Sequence, residues 1–101
     1  MPFFDLDKIR EAASYHRIKY KGFKVAQDIK NLGYTFEEIS ACIVSLTSAD
    51  FHKTIEYPDQ IAHDIYIKYF IRDEQTDRIY MKLRLRENEA LHIVEIGSFH
   101  L

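Results

Sequence analysis

The chain has 101 residues, of which 30% are charged, 47% hydrophobic and 14% aromatic, with three Gly, two Pro and one Cys, so it reads as one domain over 1–101 and not as a collagen-like, low-complexity or disordered chain. Fourteen Lys and Arg stand against sixteen Asp and Glu, a formal net charge of -2, which argues against a protein that holds nucleic acid by bulk charge alone. A single cysteine leaves no internal disulfide, and Met1-Pro2-Phe3-Phe4-Asp5-Leu6 meets acidic residues too early for a signal peptide, so a cytoplasmic location is expected.

Asp5 is placed to cap a short surface helix whose apolar positions Leu6, Ile9, Ala12 and Ala13 keep helical spacing up to about His16. Arg17-Ile18-Lys19-Tyr20 alternates and predicts a short strand before Gly22. Phe23, Val25, Ala26, Ile29 and Lys30 resume the helical period, and Asn31-Leu32-Gly33 stops it. Thr35-Phe36-Glu37-Glu38 has the form of a capping box, because the threonine hydroxyl can accept from the Glu38 amide while the Glu38 carboxylate reaches back. The helix it starts carries the stripe Phe36, Ile39, Cys42, Ile43 and Leu46, with Ser45, Thr47 and Ser48 at its exit.

Beyond Asp50 the apolar period changes from about 3.6 to about 2 and predicts strands. They cover His63 to Ile71, Arg78 to Arg86 and Leu91 to Phe99, with Lys53 to Tyr57 as a candidate fourth ending at Pro58. Arg72 to Asp77 and Glu87-Asn88-Glu89 are short polar connections of hairpin type. Helices first and strands afterwards give an α+β fold, with the N-terminal helices packed on one face of a C-terminal antiparallel sheet. The apolar runs fall far short of the roughly 20 residues a membrane-crossing helix needs, so no membrane partner is expected.

In the strand from Arg78 to Arg86, Ile79, Met81, Leu83 and Leu85 point one way while Arg78, Tyr80, Lys82, Arg84 and Arg86 point the other. Two readings fit the second set. It is a solvated outer face, or it is a phosphate-contacting surface with an aromatic among the cations, suited to single-stranded RNA. Residues 1–34 hold seven cations and four anions, and residues 35–101 hold seven and twelve, so local charge informs more than the total. Cys42 and Phe51 read as core, Tyr66 and Tyr69 as sheet packing, and His16 and His52 as solvated. His92 reads as half-buried beside Val94 and Ile96. The five histidines show no metal-ligand spacing, so neither a metal nor another cofactor is expected. Ile96, Phe99 and Leu101 can dock the final strand and hold His100 at the sheet edge, and Lys53, His63, Tyr80 and His100 are candidates to converge in a curved sheet.

An ordered set of motifs carries a family resemblance. They are Leu46-Thr47-Ser48-Ala49-Asp50-Phe51-His52-Lys53, Ala62-His63-Asp64-Ile65-Tyr66, Arg78-Ile79-Tyr80-Met81-Lys82-Leu83 and Ser98-Phe99-His100. In their order and spacing the chain resembles the MqsR-type toxins of bacterial type II toxin-antitoxin systems, messenger-RNA-cleaving endoribonucleases of RelE-like architecture. The resemblance implies catalytic roles for Lys53 and Tyr80. It also places His63 where the best-known members have glutamine, and His100 where they have a terminal lysine. It further implies a cognate antitoxin as partner, for which a helix-turn-helix or zinc-binding protein encoded nearby is a candidate.

Metal-free RNA cleavage requires taking a proton from the 2′-hydroxyl, stabilising charge on the phosphorane and protonating the departing 5′-oxygen. An imidazole titrates near neutral pH, so His63 and His100 are expected to divide the acid and base roles, in an order the sequence leaves open. Lys53 supplies a cation and Tyr80 a hydroxyl or a stacking face, while Arg78, Lys82 and Arg84 steer the messenger RNA. The alternative is a non-catalytic RNA-binding or regulatory module of the same fold.

Overall fold

The computed structural model describes residues 1–88 and 91–101; the predicted Glu87-Asn88-Glu89 connection therefore lies partly outside the described residues. Asp5 caps α1 (Leu6–Ser14) by accepting from the Asp7 amide at 2.9 Å. The helix is less superficial than its length suggests, since Ile9, Ala12 and Ala13 are fully buried and the two alanines let it close on its neighbours. After His16, at φ 59°, the chain passes through β1 (Ile18–Tyr20) and α2 (Phe23–Leu32), which ends on Gly33 in the left-handed conformation at φ 76°. The capping box forms as read: Thr35 Oγ1 accepts from Glu38 N at 3.1 Å and Glu38 Oε1 from Thr35 N at 2.9 Å. It opens α3 (Phe36–Val44), and a short 3-10 turn over Ser48–Asp50 leads into the sheet.

The strands are β2 (Phe51–Tyr57), β3 (Gln60–Arg72), β4 (Gln75–Asn88) and β5 (Leu91–His100), in the order β1-β5-β4-β3-β2. From β2 to β5 the sheet is an antiparallel meander, but β1 joins its edge parallel to β5, so the sheet is mixed and not wholly antiparallel. The free edge of β5 explains this: Val94 N donates to Arg17 O at 2.9 Å and Lys21 N to Ile96 O at 2.8 Å. The predicted loop from Arg72 to Asp77 shrinks to the two residues Asp73 and Glu74, at φ 49° and 66°. Both central residues of such a turn need positive φ to match the strand twist, and here neither is glycine.

One face of the sheet is covered by the helices, with Ile39, Ile43 and Leu46 in one core with Met81, Leu83, Ile96 and Phe99. Two polar clamps pin this layer. The buried Tyr34 hydroxyl donates to Asp77 at 2.7 Å, while the Arg72 guanidinium lies 4.1 Å from the Tyr34 ring centre and donates to the carbonyls of Gly33 and Leu32. At the other end the fully buried Asp64 accepts from the amides of Phe3 and Phe4 and from the Thr54 hydroxyl, at 2.9, 2.8 and 2.6 Å.

The feature that shapes the opposite face is an irregularity in β5. Lys82 pairs with Ser98 but Leu83 pairs with Ile96, so Gly97 is an extra residue. Such a bulge shifts the alternation of every residue after it. Ile96 and Phe99, three apart, therefore both enter the core, and His100 emerges on the open face.

Asp64→Ala leaves three donors without their acceptor and is expected to lower unfolding free energy by about 2–4 kcal/mol, measured by denaturant titration, with limited proteolysis cutting first within residues 1–5. Glu74→Gly removes a left-handed side chain and is expected to raise it by about 1 kcal/mol.

Candidate functional site

The open face of the sheet is organised in cross-strand rows. One runs from Lys53 to Ile65, Lys82 and Ser98, and the next from Ile67 to Tyr80 and His100. Neighbouring rows on one face are two residues apart, about 6.7 Å. The Tyr80 and His100 rings stack directly, with centroids 4.9 Å apart and an interplanar angle of 18°. One row further, Tyr69 pairs with Arg78, and both are exposed. Lys53 is exposed and Lys82 half-buried, and Lys82 Nζ donates to the Tyr57 hydroxyl at 3.3 Å. The rows thus bring Lys53, Tyr80, Lys82 and His100 into one area.

His63 belongs to a different place. It pairs with Ile55 on the far side of the Lys82 row and is only 2% exposed, and neither ring nitrogen has a hydrogen-bond partner within the described residues. Four residues along β3 and two strands across separate its Cα from that of His100 by roughly 16 Å. The two imidazoles, expected to act as an acid-base pair, thus stand two rows apart on the open face. The Tyr57 ring meets His63 edge-on at 6.1 Å, and the bulge residue Gly97 lies over it. A Cβ on Gly97 would stand 3.5 Å from His63 Cδ2 and 3.4 Å from Lys82 Cε. Together with Lys21 and Gln60 these residues line a pocket of about 190 Å³. Burial, then the nearby charges of Lys21, Lys82 and Arg84, push the His63 imidazole down to about 4 against an opposing pull from Glu95. It is neutral at physiological pH.

Arg84 is not free to steer a substrate. It forms an ion pair with the buried Glu95, whose other oxygen takes Arg86 at 2.9 Å. Burial would raise the Glu95 carboxyl, but the two guanidiniums outweigh it and hold the group below its usual range. A carboxylate on the neighbouring strand therefore offsets part of the cationic face of β4. Of the three proposed steering cations, Arg78 stays exposed and Lys82 leans on Tyr57.

Other sequence expectations sort by burial. Cys42 is fully buried in the core, its thiol pushed up to about 12 chiefly by burial, and Phe51 packs on Tyr66 with ring centroids 5.7 Å apart. Tyr66 is buried, whereas Tyr69 is 63% exposed and packs on nothing in the core. Leu101 is exposed too, so Ile96 and Phe99 dock the final strand without it. His92 is half-buried and its Nε2 stands 3.1 Å from Glu87. His16 and His52 are exposed. Lys21, Tyr57, Gln60 and Gly97 went unnoticed in the sequence. The glycine inside a strand pattern was the available signal.

Over residues 1–100 the sequence matches the family described as "Motility quorum-sensing regulator, toxin of MqsA". The chain belongs to this family. No curated protein matches it. Membership of the MqsR family makes it the toxin of a toxin-antitoxin pair, with an antitoxin as its partner. Among the described residues no helix is long and apolar enough to cross a membrane.

The buried imidazole of His63 couples the stability of this MqsR-family chain to pH. The unfolded chain takes up this proton near pH 6.5 and the folded one only near 4, so the stabilising contribution is complete above about pH 6.5 and lost as pH falls toward 4. The loss amounts to roughly 3 kcal/mol. Unfolding midpoints across that window are expected to fall for the wild type, and His63→Gln to flatten that dependence.

Proposed function

We propose that the protein is an endoribonuclease that cleaves messenger RNA without a metal, and that the open sheet face is where the strand binds. The observation that carries this reading is the Tyr80–His100 stack, one row from Lys82 and Lys53. In the proposed reaction solvent water takes the proton of the 2′-hydroxyl as the 2′-oxygen attacks the adjacent phosphorus, the bond to the 5′-oxygen breaks to leave a 2′,3′-cyclic phosphate, and His100 gives the departing 5′-oxygen its proton. Lys53 and Lys82 stabilise the charge that builds on the phosphorane, a contribution that fixed cations make more strongly at a partly dry surface than in water. Tyr80 keeps the imidazole oriented by stacking and offers its hydroxyl to a phosphate oxygen. Arg78 and the exposed Tyr69 extend the face by one row, a cation and a stacking platform for the next nucleotide.

His63 changes role in this proposal. Its depth and its distance from His100 favour a positioning function behind Lys82 over proton transfer to the same phosphate.

The test is cleavage of a defined transcript by purified toxin, with growth arrest on induction as the cellular counterpart. His100→Ala, Tyr80→Phe and Lys53→Ala are each expected to lower the rate at least tenfold, within the roughly 100- to 10,000-fold span of acid-base groups, while keeping the unfolding midpoint. His63→Gln is expected to stay within about tenfold of wild type, and a loss of about 100-fold or more would return His63 to the acid-base chemistry. Tight RNA binding by a wild type that leaves the transcript intact would favour the non-catalytic binding module.

A further inference from the structure

Tyr57 closes β2 just before Pro58 and shares the open face with Lys53 and Ile55, since alternate residues of a strand point one way. Its half-buried ring reaches across β3, meets His63 edge-on at 6.1 Å and brings its hydroxyl to Lys82 on β4. Lys82 Nζ donates to Tyr57 Oη at 3.3 Å, slightly longer than the roughly 2.7–3.2 Å usual for an N–H···O bond. The ammonium stands 5.8 Å from the ring centre, at the outer limit of a cation–π contact. The hydroxyl is therefore the handle, and it restrains the lysine without locking it. The stem of the side chain is confined as well, because a Cβ on Gly97 would already stand 3.4 Å from Lys82 Cε.

We infer that Tyr57 is a positioning residue of the proposed nuclease, holding the Lys82 ammonium beside the scissile phosphate and acting on the reaction only through it. The inference rests on the reading of the open face as an RNA-cleaving surface. The chemistry of the partner carries it. Lysine has more rotamer freedom to lose than most side chains, so an unheld ammonium spends much of its time away from the place where charge builds on a phosphorane. A carboxylate would hold the lysine but cancel its charge, as Glu95 cancels one of the two charges of Arg84 and Arg86. A phenol accepts the same hydrogen bond as a neutral group. Lys82 is thereby directed and keeps its full charge for the transition state, where a cation fixed in advance counts most. Among the described residues the Tyr57 hydroxyl is the one side-chain hydrogen-bond partner that Lys82 has.

The experiment is a double-mutant cycle on cleavage of a short defined RNA by the full chain, with Tyr57→Phe, Lys82→Ala and the two combined. Tyr57→Phe removes the hydroxyl and keeps the ring against His63. It is expected to lower kcat about fivefold, with KM within about twofold and the unfolding midpoint unchanged. Lys82→Ala is expected to lower kcat at least about tenfold, and Tyr57→Phe to cost less than about twofold more once Lys82 is gone. A second readout needs no RNA: acetylation of individual lysines by acetic anhydride, followed by peptide mass spectrometry. Released from the phenol, Lys82 is expected to label about threefold faster or more in Tyr57→Phe, while the exposed Lys8 and Lys30 label as before. The inference is overturned if Tyr57→Phe cleaves like the wild type, if it raises KM alone, if the two losses multiply in the combined variant, or if Lys82 labels at the wild-type rate in Tyr57→Phe. A wild type that leaves the RNA intact overturns the nuclease reading and this role with it, whereas an unchanged kcat in Tyr57→Phe beside a cleaving wild type overturns the role alone.

Discussion

One extra residue in the last strand decides what the open face of this protein can do. Regular alternation from Val94 and Ile96 would carry His100 to the helix-covered side and Phe99 to solvent. Gly97 breaks the count, so Phe99 fills the core against Tyr34, with rings 5.6 Å apart, and His100 comes out beside Tyr80. The same glycine packs beside the His63 ring, where an added Cβ would stand at van der Waals distance. One bulge residue therefore touches two locations at once: it sets the direction of the end of β5 and forms part of the wall beside His63. The hydrophobic term holds the arrangement in place, since returning to regular pairing would expose Phe99, whose burial is worth about 1.5–3 kcal/mol.

The charge on that face is graded along β4. At the Arg86 end two guanidiniums share the Glu95 carboxylate, which cancels one of their two charges. Toward the β3–β4 turn, Lys82 and Arg78 have no carboxylate partner among the described residues, and Lys53 adds a cation from β2. The near-balanced total charge of the chain hides this gradient. A short strand of RNA bound at the cationic end would engage few phosphates, which implies a modest salt dependence.

Much of the fold is legible in local sequence signals. Asp5, the Thr35–Glu38 box and Gly33 act within one helical turn, so their roles can be read from neighbours in sequence. The alternation of β4 is equally local, and it placed Tyr80 and Lys82 on the correct face. What escaped were pairings between distant residues. The parallel attachment of β1 brings Lys21 beside His63, the Glu95 side chain occupies Arg84, and Asp64 reaches the amides of Phe3 and Phe4; none of these leaves a periodic trace. The separation of His63 from His100 belongs to the same class, because it depends on register, and register is set by the core as a whole. The exposure of Tyr69 escapes the sequence for a simpler reason: a period of two says that a side chain faces one way, but not whether anything lies there to cover it.

Arg72 stands next to the β3–β4 turn, where a two-stranded ribbon would otherwise be loosest. Its contacts with the end of α2, with Glu38 at the start of α3 and with the Tyr34 ring brace the tip of the hairpin whose inner part carries Tyr80 and Lys82. The open face is thereby organised during folding, not when a ligand arrives. The entropy of ordering that ribbon is settled in advance, and a flexible partner meets a surface that already has its shape.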